Sequence, residues 1–272
     1  MSNAPRPVSI TTLAAMKTRG ERITCLTAYD AAVARLLGEA GVELILVGDS
    51  LGMVVQGHDT TLPVTLDEMI YHSRCVARGM AQAGGRKPLL LVDLPFMSYA
   101  NVDQALHSAA RLMKEGGAQM VKLEGGAAQA ATVQALAAQG IPVCAHLGLT
   151  PQSVHKLGGY KVQGREAQAA ETLLRDAEAL QAAGADLLIL ECIPSTLAGR
   201  VQAVLSIPVI GIGAGAACDG QVLVSTDVLG LSAQIPRFAL DYTQQHGAAR
   251  QAIAAFVDDV RTGRFPQAAQ CF

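Results

Sequence analysis

Strand-length apolar runs recur along the chain with helix-forming stretches between them, and no other feature limits the fold as tightly. Eight such runs can be read: RITCLTAYD, ELILVGDS, PLLLVDLPF, MVKLEGG, IPVCAHLGLT, DLLILECIP, IPVIGIGAG and DVLGLSAQ. Alternation with helices implies parallel strands joined by helical crossovers, in a sheet covered on both faces. The intervening AAVARLLGEAG, DEMIYHSRCVARGM, NVDQALHSAARLMKEGG, AAQAATVQALAAQG and EAQAAETLLRDAEALQAAG are rich in Ala, Leu, Glu, Gln and Arg, and most stop at glycine. Thr65 and Glu68 have the spacing of a capping box ahead of the second of these helices. Eight strand–helix units in 272 residues predict an α/β fold, a single (β/α)8 TIM barrel over residues 1–272, close to the ~250 residues typical of such barrels. SITTLAAMKTRG predicts an additional N-terminal helix before the first strand, and no linker, low-complexity tract or charge block divides the chain.

Half the residues are apolar, enough for a sizeable core, and the 21 basic and 23 acidic side chains are interspersed. Neither a nucleic-acid stripe nor an acidic tail is visible, so a small molecule is the expected partner. The six cysteines are scattered without a C-x-x-C pair, usage that suits a reducing cytosol. The N-terminal MSNAPRPVSITTLAAMKTRG has no apolar stretch long enough for a signal peptide, and no segment approaches a membrane span. The expected location is the cytoplasm.

In a barrel of this kind the active site lies at the C-terminal mouth, so the polar residues at strand ends are the ones to weigh. The second run delivers Asp49 and Ser50, the third Asp93, the fourth Lys122 and Glu124, the fifth His146 and the sixth Glu191. Lys122 and Glu124, two apart, share one strand face. A strand buried on both faces has no cheap place for a carboxylate except its end, where a metal or partner can be supplied. Asp49, Asp93 and Glu124 are hard oxygen donors without a Cys or His among them, which favours Mg2+ over zinc. A 2-oxo acid chelated there would have its carbonyl polarised and its adjacent C–H made more acidic.

Each residue also has an ordinary structural reading. A single strand-end Asp is commonly a helix N-cap or loop anchor. Lys122 can serve as a structural partner of Glu124 or Asp93, or bind a substrate carboxylate or enolate oxygen. Glu191, followed by Cys192, Ile193 and Pro194, is expected in an apolar wall that disfavours its charge, which would suit a base; the rival is a buried Glu paired to a Lys or His. His146 is either a satisfied core histidine or a member of the site. Gly211, Gly213 and Ala216 of GIGAGA satisfy the G-x-G-x-x-G/A dinucleotide pattern. They follow the seventh run rather than the first, and the turn-like Cys218, Asp219 and Gly220 come next where a dinucleotide site needs a helix.

Taken together, VGDSLGMVVQGHDTTLPVT, LLVDLPFMSY, VKLEGG, VCAHLGLTPQSVHKLGGYKVQG, LLILECIP and VIGIGAGAACDGQVLV closely resemble the ketopantoate hydroxymethyltransferase family, from about Ile23 to Phe238. The resemblance implies a (β/α)8 barrel acting in pantothenate biosynthesis. Its reaction transfers a hydroxymethyl group from 5,10-methylenetetrahydrofolate, as co-substrate, to 3-methyl-2-oxobutanoate through a Mg2+-stabilised enolate, forming 2-dehydropantoate and tetrahydrofolate. It further implies a cytoplasmic homodecamer. Matched motif by motif, Asp49, Asp93 and Glu124 would be the metal-binding carboxylates, some through water; Asp49, Ser50, Asp93 and Lys122 would contact the oxo acid. Glu191 would accept the proton, with Lys122 and His146 assisting. Tyr29, Asp30 and the GIGAGAACDGQ loop resemble the folate neighbourhood. The ending GRFPQAAQCF departs from the acidic-His-Ser-Phe ending common in the family. Two rivals to this reading are a Mg2+-dependent oxo-acid lyase of the isocitrate lyase and phosphoenolpyruvate mutase type, and a catalytically silent barrel subunit. The lyases usually carry a reactive Cys on a mobile loop, and GGAAQAATV after the fourth run has none.

Overall fold

A computed structural model describes residues 6–272; the first five residues of the stretch read for a signal peptide lie outside it. The strands are β1 (Ile23–Thr27), β2 (Leu44–Val47), β3 (Leu89–Asp93), β4 (Met120–Glu124), β5 (Val143–Gly148), β6 (Leu187–Glu191), β7 (Val209–Ile212) and β8 (Gly220–Leu223). All pair in parallel in chain order, and β8 pairs back onto β1 to close a barrel. The strands are almost wholly buried, as expected where side chains fill the barrel on one face and meet helices on the other. The N-terminal helix is Ile10–Arg19, begun by a capping box on Ser9 and ended by Gly20 at φ 68°. The Thr65–Glu68 box opens the helix Leu66–Gln82: Thr65 Oγ1 accepts from the Glu68 amide and the Glu68 carboxylate accepts from the Thr65 amide.

Seven of the eight strands fall in the expected runs, but the eighth does not. Within DVLGLSAQ, Val228 ends a short helix, Ser225–Val228, and β8 lies upstream in the sequence GQVL. A Cβ at Gly220 would come within 2.2 Å of the Ile23 carbonyl oxygen, so the close approach of β8 to β1 requires glycine there. That glycine, beside Asp219, gives the strand the appearance of a turn. No helix separates β7 from β8 either; residues 213–219 return along the barrel as a loop, and it is the seventh strand–helix unit that is reduced to this short link.

Among the described residues no helix is long and apolar enough to cross a membrane. All six cysteines are free thiols, and Cys25, Cys144, Cys192 and Cys218 are buried.

Candidate active site

Parallel register carries the polar strand ends to one level. Asp93 pairs with Lys122, Glu124 with His146, and Gly148 with Glu191, so neighbouring strands β3 to β6 each deliver an ionisable group to the mouth. Asp49 joins them from the turn just after β2. Asp49, Asp93, Lys122, Glu124 and His146 are all at most 5 % exposed. Such burial of charge is tolerable only with partners.

The partners are mutual. Lys122 Nζ lies 3.1 Å from Asp93 Oδ1 and 3.8 Å from Glu124 Oε1; His146 Nδ1, 3.3 Å away, is a like-charged neighbour once its ring is protonated, and the carboxylates offset that repulsion. The His146 ring bridges onward, Nδ1 at 3.4 Å from Glu124 Oε1 and Nε2 at 3.3 Å from Glu191 Oε2. Three of the four carboxylates at the mouth, Asp49, Asp93 and Glu124, each give one oxygen to a protein N–H. The Asp49 amide donates to Asp93 Oδ2 at 3.0 Å, the Gln152 amide to Glu124 Oε2 at 3.0 Å, and the Gln152 side-chain Nε2 to Asp49 Oδ2 at 2.9 Å. The second oxygens of Asp93 and Glu124, Oδ1 and Oε1, are buried without a well-formed hydrogen bond and meet only the ionic contacts above. His146 Nε2 is likewise buried without a well-formed hydrogen bond.

The electrostatics follow from this crowding. Burial drives the Asp49 carboxyl well above the usual range, and the charges of Asp93 and Glu124 add to the effect. Asp93 is also raised by burial, with Lys122 opposing. Glu124 ends below its ordinary value: burial raises it, but His146 and Lys122 outweigh burial. For Lys122, burial disfavours charge, yet Asp93, Glu124 and Asp49 push its pKa upward, so it stays an ammonium. Burial and Lys122 oppose charge on His146, while Glu124 and Glu191 overcome them and lift it to about 9. Of the two readings of Glu191, the structure shows the pairing with a histidine: its carboxylate, 15 % exposed, has His146 Nε2 3.3 Å away. An isolated run such as LLILE cannot reveal a partner that arrives from the neighbouring strand.

The sequence profile of the ketopantoate hydroxymethyltransferases matches residues 7–268. The chain belongs to the ketopantoate hydroxymethyltransferase family. It is similar to the 3-methyl-2-oxobutanoate hydroxymethyltransferase of Halorhodospira halophila, 59% identical over 95% of this chain and 92% of that one. Among solved structures, a putative phosphonomutase from Burkholderia cenocepacia shares the fold with a TM-score of 0.61 and 18% identity, over 80% of this chain and 95% of that one. A phosphonopyruvate hydrolase crystallised with oxalate and Mg2+ gives 0.59 and 14%, over 79% and 80% of the two chains. Those two likenesses describe the barrel alone.

The magnesium implied for this family can be tested against the donor set. Among the described residues, no three His, Cys, Asp or Glu side chains converge as a ready-made ligand cluster, and Lys122 stands between Asp93 and Glu124. The chemistry nevertheless fits a hard cation: three buried carboxylates outnumber the ammonium among them, and Asp93 Oδ1 and Glu124 Oε1 are oxygens without good donors. A family metal held partly through water suits this spacing better than a closed all-protein cage.

Other expected site residues occupy distinct positions. The Ser50 hydroxyl is 2.8 Å from the Tyr29 hydroxyl, which draws β1 toward the same mouth. Asp30 instead caps the helix Ala31–Ala40, its Oδ1 accepting from the amides of Ala32 and Val33 at 2.7 and 2.9 Å. The GIGAGA segment opens no helix, which disposes of a dinucleotide site. Its Gly213 is covered by Phe238 and Phe272; the Phe272 carbonyl accepts from the Ser195 amide at 2.9 Å, and its ring faces the Arg237 guanidinium. The divergent tail thus packs beside β7 without an acidic residue or histidine. Gly148, at φ 94°, lets β5 approach β6, because a Cβ there would stand 2.1 Å from the Glu191 carbonyl oxygen.

Gln152 and Tyr99 were not anticipated. Both sit in loops over the mouth, and both are buried. Their only sequence signal is position: the long loop after β5 and the segment after β3 are where a barrel places site residues.

Proposed function

We propose that this chain transfers the one-carbon unit of 5,10-methylenetetrahydrofolate to 3-methyl-2-oxobutanoate, giving 2-dehydropantoate and tetrahydrofolate. Membership of the family supports the overall reaction. The observation that carries the residue roles is the continuous array at the mouth, the buried Asp93, Lys122, Glu124 and His146 ending on the partly exposed Glu191.

In this reading Asp49, Asp93 and Glu124, directly or through water, hold Mg2+, which supplies Lewis-acid polarisation of the oxo-acid carbonyl. Lys122 and Ser50 orient the oxo acid. Lys122, kept charged by its three carboxylate neighbours, faces the oxygen on which negative charge gathers as the C3 proton leaves. Glu191 takes that proton at its carboxylate, and His146, protonated at neutral pH, holds Glu191 in position from 3.3 Å. The C3 carbon then bonds to the methylene carbon of the folate in its ring-opened iminium form, where one of the two C–N bonds is already broken, and the C=N π pair returns to nitrogen. Cleavage of the second C–N bond with addition of one water completes the hydroxymethyl group, and the proton taken by Glu191 and the one left by water end on the two folate nitrogens.

The test is proton NMR of 3-methyl-2-oxobutanoate in D2O with the protein and Mg2+, first without folate and then with methylenetetrahydrofolate. The expected result is loss of the C3 proton signal in the first stage and 2-dehydropantoate in the second. Cleavage of the oxo acid would turn the reading toward a lyase of the isocitrate lyase and phosphoenolpyruvate mutase type. Neither change, in folded and metal-loaded protein, would indicate a silent barrel. A cytoplasmic homodecamer belongs to the same proposal, and light scattering should then give ten times the 28.2 kDa chain mass.

A further inference from the structure

We infer that Gln152, supported by Tyr99, is a positioning residue that sets which oxygens of Asp49 and Glu124 face the reaction. The inference rests on the reading of these two carboxylates as metal-binding. Gln152 is 6 % exposed and lies on the turn after β5, opposite the tips of β2, β3 and β4. Its side-chain Nε2 donates to Asp49 Oδ2 and to the Leu94 carbonyl oxygen, both at 2.9 Å, and its backbone amide donates to Glu124 Oε2 at 3.0 Å. One residue thus links three other strand ends.

The amide cannot be turned over without loss. In the observed orientation both Nε2 protons have acceptors, and the Tyr99 hydroxyl donates to Oε1. The opposite orientation would set a carbonyl oxygen against the Asp49 carboxylate and the Leu94 carbonyl. Tyr99 Oη in turn accepts from the Glu124 amide at 3.3 Å, so the tyrosine ties the amide's sense to β4. The consequence is selective. Asp49 Oδ2 and Glu124 Oε2 are occupied by Gln152, which leaves Asp49 Oδ1 and Glu124 Oε1 as the oxygens available to a cation. Every hydrogen bond of Gln152 named above is made to the protein, and it acts through the two carboxylates.

The experiment is titration of the full-length protein with Mn2+, an oxygen-preferring dication of magnesium's charge, with free Mn2+ counted by electron paramagnetic resonance. Gln152→Met keeps the backbone donor to Glu124 and removes the amide. It should weaken Mn2+ at least about tenfold, the scale on which supporting partners of metal ligands act. It should also raise the Mg2+ concentration needed for half-maximal turnover by a similar factor. Tyr99→Phe, which removes the donor to Oε1 and loosens the amide while leaving its two acceptors in place, should weaken Mn2+ by a smaller factor, and it carries the same test if Gln152→Met does not fold. Asp49→Asn is the control for the underlying reading. Parental Mn2+ affinity in Gln152→Met and Tyr99→Phe, with affinity lost in Asp49→Asn, overturns the positioning role alone. Parental affinity in all three overturns the assignment of Asp49 to the metal and the positioning role with it.

Discussion

Glu191→Gln is expected to bind 3-methyl-2-oxobutanoate and Mg2+ normally while slowing exchange of the C3 proton into D2O by about 10²–10⁴-fold, the usual contribution of a placed general base. The replacement keeps the size of the side chain and its contact with the His146 ring, but it removes the lone pair that can take a proton. Product formation should fall by the same factor, because proton removal precedes the carbon–carbon bond. The variant has a second readout. Glu191 is one of the two carboxylates that lift His146 to about 9, so the histidine should titrate at lower pH once that charge is gone, visible in the imidazole proton shifts. Undiminished C3 exchange would remove Glu191 as the base. Slowed exchange with an unmoved histidine would instead contradict the observed 3.3 Å contact between them.

What the sequence disclosed, and what it concealed, divides along local and non-local lines. β2 to β6 are legible because each is a dense apolar run with its polar residue at the end, and burial on both faces leaves such a residue nowhere else to go. β8 is illegible for a tertiary reason: Gly220 is demanded by the Ile23 carbonyl of β1, a contact made almost 200 positions away in the chain. At the mouth, the carboxylates, Lys122, His146 and Glu191 announce themselves by type and position. Their partnership does not, since the link between Glu191 and His146 depends on barrel register. Gln152 and Tyr99 are hidden more fully. A glutamine in PQSVH and a tyrosine in MSYAN have no periodicity that reports burial, and their meaning appears only when the loops after β3 and β5 meet. Asp30 shows the converse, an acidic residue near the mouth whose hydrogen bonds make it a helix cap.

Lys122→Met is expected to be the most damaging single replacement for stability. The methionine nearly preserves the volume of the lysine stem but leaves Asp93 Oδ1 and Glu124 Oε1 facing one another's charge in a buried site, where neither has a good hydrogen bond. Removing one member of a buried ionic array costs about 3–5 kcal/mol, which for a chain of this size corresponds to a fall of roughly 6–20 °C in melting midpoint. The deficit has a defined pH dependence. Without the ammonium, the folded-state pKa of Asp93, already raised by burial, moves higher, and that of Glu124 rises from its lowered value, so folding is penalised most where both carboxyls are ionised. The penalty shrinks as pH falls through the raised folded values, because the carboxyls then enter the fold neutral. Melting curves of parent and variant should therefore lie farthest apart at about pH 7.5 and draw together toward about pH 5. Added Mg2+ should recover part of the loss at the higher pH, since a dication bound only by the folded carboxylates stabilises by mass action. A variant that melts with the parent at neutral pH would show that Lys122 is not the counter-charge of this site. A full melting deficit that Mg2+ cannot reduce would instead separate the structural ion array from the proposed metal site.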